Sequence, residues 1–260
     1  MTIIHHLIDP GGPPVFSVDL VTSCLDVAWN LINENRLPVF GSVLARGQTA
    51  GRGRHGRTWS SPVGHLYSAL RLPLSPPFSG TQAPLALALM LTQALESLDP
   101  GLQIAIKWPN DLMVGGRKAA GLLLENRNQA LLAGFGLNLG SCPISEAERT
   151  PGAPLPGFFP ASLGPPEKLW PIVAETLLKG YNDKFGRSDR PWQRDLLNQV
   201  EARLMYLGQT VTVIGPSSSP PVAVSEISGR LTGLDCSGAL ILESPLGLLT
   251  VWSGTLTAGP

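Results

Sequence analysis

Residues 51–57 read Gly-Arg-Gly-Arg-His-Gly-Arg, three arginines and three glycines in seven positions, followed by Thr58-Trp59-Ser60-Ser61-Pro62. Glycine accepts left-handed backbone and close approach without steric cost, and it leaves a loop free to move. Arginine offers a planar fork of donors that matches phosphate or carboxylate. The chemistry this combination suits is closure over an anion that forms during a reaction. A solvated basic turn or a nucleic-acid patch would use the same residue types. The spacing fits neither a Walker phosphate loop nor a dinucleotide fingerprint.

A second stretch narrows these readings. Residues 104–125 run Ile-Ala-Ile-Lys-Trp-Pro-Asn-Asp-Leu-Met-Val-Gly-Gly-Arg-Lys-Ala-Ala-Gly-Leu-Leu-Leu-Glu. Ile104 to Lys107 reads as the end of a strand and Pro109-Asn110-Asp111 as a turn, because proline presets φ and Asx side chains bond their own backbone. Leu112 to Val114 resumes extended structure, Gly115-Gly116 supplies a two-residue hairpin turn, and Ala119 to Leu124 returns. Lys107, Asn110, Asp111 and Lys118 then cluster near strand ends and turns. Two cations, an amide and a carboxylate suit a triphosphate with Mg²⁺, which takes few protein carboxylates and shares phosphate oxygens.

These two segments together resemble the biotin–protein ligase family. Its arginine loop corresponds to Gln48-Thr49-Ala50-Gly51-Arg52-Gly53-Arg54-His55-Gly56-Arg57, with Trp59-Ser60-Ser61-Pro62 after it. Its Lys-Trp-Pro-Asn-Asp-Leu motif stands at 107–112, and its Lys-x-x-Gly-Ile-Leu-x-Glu motif at 118–125 with leucine for isoleucine. Weaker likenesses are Gly134-Phe135-Gly136-Leu137-Asn138, Ala161-Ser162-Leu163 and the stretch from Ser228-Gly229 to Ser253-Gly254. The likeness runs from about residue 16 to residue 257.

The resemblance implies an α+β fold: a mixed β-sheet packed with helices over residues 1–206, then a small SH3-like β-barrel over 207–260. It implies ATP-dependent attachment of biotin to a lysine of a biotin carboxyl carrier protein through biotinyl-5′-AMP, with Mg²⁺ arriving on ATP. Arg54, Lys118 and Lys107 are the catalytic candidates it gives. Ser23, Cys24, Leu25, Gln48, Gly51, Arg52, Gly53, Trp59 and Gly121 join Arg54 and Lys118 around biotin and the adenylate. Lys107, Trp108, Asn110, Asp111 and Asn138 fall on the nucleotide side, and Asp111 is the metal candidate. Arg52 and Arg54 are expected to grip the biotin carboxylate and the adenylate.

Two positions depart from the family pattern. The usual Ser-Thr-x-Asp at the first helix is Ser23-Cys24-Leu25-Asp26 here, so a hydroxyl has become a weakly bonding thiol. A buried ureido group losing one partner costs about 1–3 kcal/mol. The later Gly-x-Asn-x-Asn motif ends in Gly140, and Ser23, read first as a ligand contact, also fits a helix cap. An adenylating ligase for another acyl acid, such as lipoate or octanoate, therefore stands as an alternative, and so does a non-catalytic biotin or nucleotide sensor.

The elements that must position these residues follow from periodicity. Asp26 to Asn35, Pro84 to Leu98, Lys168 to Tyr181 and Gln193 to Leu204 read as helices, with apolar residues on one face. Residues 38–46, 63–72 and 129–140 read as strands. Residues 1–15 read as a loose Gly/Pro-rich leader to the fold, and the proline-rich 143–166 as an irregular excursion, with Phe158 and Phe159 needing burial. From Gly208 the pattern turns to short β runs at 209–214, 222–233, 239–243 and 248–256, separated by Pro/Ser or Gly turns.

Composition bounds the rest. With 260 residues, 43% hydrophobic and a net charge of +0, the chain can bury a large core and has no general attraction to DNA, RNA or anionic membrane. Cys24, Cys142 and Cys236 lack metal spacing, His5-His6 lacks a third ligand, and the amino terminus has no secretory pattern. The expected location is the cytoplasm. Some members of the resembled family carry an amino-terminal DNA-binding helix-turn-helix, for which this sequence leaves no room. Members occur as monomers and homodimers.

Overall fold

The computed structural model describes residues 4–7, 12–143, 154–185, 192–215 and 226–259. Eight strands form one mixed sheet: β1 (Ile4–Leu7), β2 (Val15–Val21), β3 (Ser42–Gln48), β4 (Leu66–Leu72), β5 (Ile104–Lys107), β6 (Asp111–Val114), β7 (Arg117–Arg127) and β8 (Ala130–Leu137). Their order is β1-β2-β3-β4-β8-β7-β6-β5. Only β2 and β3 run parallel, joined across helix α1 (Cys24–Asn33), as a parallel pair requires a crossover.

Period-two alternation decides what each face carries. On β4, Leu66, Leu70 and Leu72 join the larger core, while Tyr67 and Ala69 point into the core under α1. The larger core is closed by α2 (Ala83–Leu98), α3 (Pro166–Lys184) and α4 (Trp192–Glu201). Helix α2 is apolar nearly all round because it is buried against α3, α4 and the sheet. Trp170 is fully buried in α3, and its indole N–H donates to Ser42 Oγ at 2.9 Å. No helix among the described residues is long and apolar enough to cross a membrane.

A five-stranded antiparallel sheet follows: β9 (Thr210–Ile214), β10 (Glu226–Leu234), β11 (Leu240–Ser244), β12 (Gly247–Val251) and β13 (Thr255–Ala258), ordered β12-β11-β10-β9-β13. It is the small SH3-like unit. Val211, Val213, Leu231, Leu240 and Leu242 share the larger core with α2. Polar ties hold the second sheet to the start of α2 and the end of α4: Thr81 Oγ1 donates to Ser237 O at 2.8 Å, Gln82 to Cys236 O, and Leu234 N to Glu201 Oε1 at 2.6 Å.

Several expectations change. The leader read over 1–15 contains strand β1, paired with β2, and β2 itself begins at Val15. Two short strands this close to a Gly/Pro stretch gain their order from the sheet rather than from local pattern. The single run read at 248–256 is two strands, parted around Gly254, whose φ of 142° ends pairing. The strand read over 38–46 starts only at Ser42, after Phe40 in a left-handed conformation, and the one read from 63 starts at Leu66, after Gly64 at φ 106°. Phe159 is buried as expected, but Phe158 is 44% exposed. Residues 144–153 of the proline-rich excursion, and the side chains of His5 and His6, lie outside the described residues.

Candidate active site

Glycines shape the floor. On the α1 side of β7 and β8, Gly121, Gly134 and Gly136 leave space that other residues enter. A Cβ at Gly134 would lie 3.1 Å from Leu25 Cδ1, and one at Gly121 would lie 2.9 Å from Trp59 Cζ3. At Gly136 it would lie 2.5 Å from Trp59 Cε2, which no real contact tolerates. The sheet therefore carries Leu25 and the Trp59 indole directly on its backbone, and a cavity of about 210 Å³ opens beside them.

The arginine segment is more ordered than its glycines suggest. Trp59 N donates to Gly51 O at 2.9 Å and Gly53 N to Arg57 O at 2.7 Å, with an Arg52–Thr58 bridge between them. The segment is thus a short hairpin whose tip is the turn Arg54–Gly56, with His55 at φ 56° and Gly56 at φ 71°. Gly51 does not line the cavity; a side chain there would collide with the Trp59 carbonyl oxygen, so its role is close packing of the hairpin stem.

The other wall comes from the predicted hairpin. Gly115 (φ 56°) and Gly116 (φ 74°) make the two-residue turn between β6 and β7, as both central residues must be left-handed there. That register brings Lys118 Nζ to 2.7 Å from Asp111 Oδ1, with the ammonium 5.2 Å from the Trp59 ring centroid. Asn110 is fixed by donation from its Nδ2 to Leu122 O at 2.6 Å, and its Oδ1 accepts from Arg54 Nη1 at 3.1 Å. Trp108 is buried and its indole N–H donates to Gly238 O at 3.0 Å, so it ties the hairpin base to the carboxy-terminal sheet.

At the α1 end, Ser23 Oγ caps the helix by accepting the Leu25 N–H at 3.3 Å. Gln48 holds the same end in place: its Oε1 accepts from Cys24 N at 2.8 Å, and its Nε2 donates to Ser61 Oγ at 2.9 Å. Burial pushes the Cys24 thiol up to about 12, so it is a neutral, inert wall at physiological pH. Asn138 Nδ2 donates to Gly157 O at 2.7 Å, whereas its Oδ1 and the Trp59 Nε1 are buried without a partner among the described residues.

Among the described residues, five basic side chains line the cavity (Arg52, Arg54, Arg57, Lys107, Lys118) against one carboxylate, Asp111. Lys107 is only 4% exposed, and no carboxylate of the described residues pairs with it. Burial lowers its pKa, Asp111 partly offsets this, and Lys118 and Arg57 add to the lowering. Burial likewise lowers the Arg54 guanidinium. His55 is lowered too, by burial and then by Arg54 and Arg57, and is neutral at pH 7. For Arg52, burial opposes the charge, but hydrogen bonding and attraction to Asp26 and then Glu125 outweigh it and raise the pKa. A concave site with this surplus of positive charge is built for an anion.

Of the residues the sequence singles out, the structure brings Ser23, Cys24, Leu25, Gln48, Arg52, Gly53, Arg54, Trp59, Lys107, Trp108, Asn110, Asp111, Lys118, Gly121 and Asn138 to one cavity. Sequence reasoning missed Arg57, Phe135, Gly136 and Thr255. Arg57 stood within the quoted motif and Phe135 and Gly136 within a weaker one. Thr255, whose Oγ1 accepts from Arg57 Nη2 at 3.2 Å, carried no local signal because it arrives from the second sheet.

Residues 17–140 match the biotin/lipoate A/B protein ligase family. The chain is 34% identical over 217 residues to the biotin–[acetyl-CoA-carboxylase] ligase of Paracoccus denitrificans, covering 79% of this chain and 85% of that one. It is also 34% identical over 212 residues to the biotin–[acetyl-CoA-carboxylase] ligase of Mycobacterium tuberculosis, covering 78% of this chain and 76% of that one. Its fold superposes on the biotin protein ligase of Aquifex aeolicus solved with biotin and ATP, with a TM-score of 0.72 and 23% identity over 94% of this chain and 97% of that one. The chain belongs to the biotin/lipoate A/B protein ligase family, on its biotin–protein ligase branch.

Proposed function

We propose that this protein joins biotin to a lysine of a biotin carboxyl carrier protein in two steps at the one cavity. The biotin carboxylate attacks the α-phosphorus of ATP; a carboxyl–phosphate bond forms and pyrophosphate leaves. The carrier lysine amine then attacks the activated carbonyl, and AMP leaves. Both steps shift negative charge over phosphate oxygens, so fixed cations aimed at them supply most of the acceleration. The observation that carries this reading is the convergence of Arg54, Arg57, Lys107 and Lys118 beside an apolar, glycine-floored recess.

In this reading the recess under Trp59, walled by Leu25, Cys24 and Phe135 and bounded by Gln48, receives the biotin rings. Lys118 stands over the junction of carboxylate and phosphate. Lys107 and Arg54 face the phosphates, and the unpartnered Asn138 Oδ1 offers an acceptor on the nucleotide side. Mg²⁺ enters with ATP as part of the substrate, and Asp111 is the carboxylate that fits it. The two sheets support a division into a catalytic unit at 1–206 and a carboxy-terminal unit at 207–260. ATP as substrate and three unbridged cysteines support a cytoplasmic location.

The test is direct. Incubated with MgATP and biotin, the purified protein should hold biotinyl-5′-AMP, detectable by mass spectrometry, and should then label a carrier domain on its lysine with release of AMP. Bound adenylate without transfer would make it a sensor. No adenylate with biotin, but adenylate with lipoate or octanoate, would move it to another acid.

A further inference from the structure

We infer that Arg52 is a clamp rather than a ligand grip, and that Glu125 and Asp26 are positioning residues that hold the arginine hairpin over the cavity. Each terminal nitrogen of Arg52 is committed to a different carboxylate. Nη1 lies 2.7 Å from Asp26 Oδ1 in the first turn of α1, and Nη2 lies 3.4 Å from Glu125 Oε1 on β7. The remaining oxygen of Glu125 accepts from Trp29 Nε1 at 2.8 Å and Arg127 Nη2 at 2.7 Å. Arg127 in turn lies 5.1 Å from the Trp29 ring centroid. Glu125, with its side chain 15% exposed, is the hub joining α1, β7 and the hairpin.

Position on the hairpin gives this network its consequence. Arg52 sits on one leg of the stem, directly across from Thr58, and Trp59 closes the other leg on Gly121 and Gly136. Both legs are therefore fixed to the sheet, while the tip, which carries Arg54 and leads into Arg57, is tied through Arg54 to Asn110 and Arg57 to Thr255. Two carboxylates around one guanidinium also cancel its charge locally, so Arg52 adds little attraction for a substrate anion. Among the described residues, Arg54 pairs with Asn110, Arg57 with Thr255, Lys107 with no carboxylate and Lys118 with Asp111 alone, so each of these four keeps more charge for a substrate than Arg52 does. Sequence reasoning gave Arg52 and Arg54 one shared role; the geometry separates them.

The functional consequence rests on the proposed adenylation, but the clamp is tested without it. Arg54 and Arg57 are trypsin sites at the hairpin tip, so limited digestion of the ligand-free protein, mapped by mass spectrometry, reads hairpin opening. Glu125→Gln should speed cleavage after these two arginines about five-fold relative to cleavage elsewhere in the chain. Arg52→Gln should do the same, and the double variant should be no faster than either single one. Glu125→Asp should restore part of the protection. If Glu125→Gln misfolds, Asp26→Asn replaces it, because that side chain is 41% exposed. In pyrophosphate exchange, Glu125→Gln should raise the KM for biotin while leaving the rate at saturation. Wild-type cleavage rates in both single variants, or effects that multiply in the double variant, would overturn the clamp. Absence of exchange in the wild type would sink the adenylation reading and leave the digestion result standing.

Discussion

Trp59 lies against Gly136 so closely that a methyl group on that glycine would stand 2.5 Å from both Cε2 and Nε1 of the indole. The indole Nε1 is buried there without a partner among the described residues, so within them the ring is held by shape and not by a hydrogen bond. Gly136→Ala should then push Trp59 out of its seat and into the recess. Overpacking of this kind costs about 1–3 kcal/mol. The expected result is a lower melting temperature together with a biotin KM raised at least tenfold. Tryptophan fluorescence would report the displaced ring, and an unchanged KM would show that Trp59 does not wall the ligand.

Lys107 trades stability for function. In the folded chain its pKa is depressed, first by burial, so between the folded and ordinary lysine values the unfolded chain holds more protons and stability rises with pH. At any pH below the folded value, the cost of burying the ammonium is carried in full. Lys107→Met should raise the ligand-free melting temperature at pH 7 by about 2–4 °C. The gain should shrink as pH approaches about 10.4, the ordinary lysine value. The same substitution should cut pyrophosphate exchange about 100-fold. Thermal denaturation across pH alongside exchange checks both halves.

Cys24 presents sulfur where a hydroxyl would bond more strongly. Its burial, which pushes the pKa up to about 12, predicts that thiol reagents modify the exposed Cys236 while leaving Cys24 untouched until the chain unfolds. Cys24→Ser should lower the biotin Kd up to about tenfold, the value of one recovered hydrogen bond. Isothermal titration with biotin measures it directly, and weaker binding by the serine variant would mean the ligand does not meet this position.

How much of this was legible in the chain depends on what each residue answers to. The β6–β7 hairpin was readable because Gly115-Gly116 admits one turn and thereby fixes which residues face Asp111 and Lys118. Helices α2 and α3 were readable from their apolar periodicity to within about two or three residues. Strands β1 and β2 were not, since a short strand takes its order from partners distant in sequence. The arginine hairpin illustrates the same limit within the site. Its residue types announced anion chemistry, but the pairing of Arg52 with Asp26 and Glu125 depends on a helix and a strand that only the fold brings together. Thr255 reaches the site from β13, the edge strand of the second sheet, where no spacing rule extends.

The reach of that second sheet is itself testable. Thr255 Oγ1 is the partner of Arg57 on the far side of the cavity, so Thr255→Val should release Arg57 without disturbing the core. The expected effect is adenylate loss about threefold faster, with melting temperature unchanged. Adenylate retained as in the wild type would leave the carboxy-terminal sheet a packing partner and no more.

The most direct test of the central claim is ATP–pyrophosphate exchange by the purified protein with MgATP, comparing biotin, lipoate, octanoate and no acid. Exchange that appears with biotin, stays at background with the other three, and collapses in Lys118→Ala is the expected result. Exchange absent with biotin, or equally fast with lipoate or octanoate, would contradict the assignment of this cavity to biotin activation.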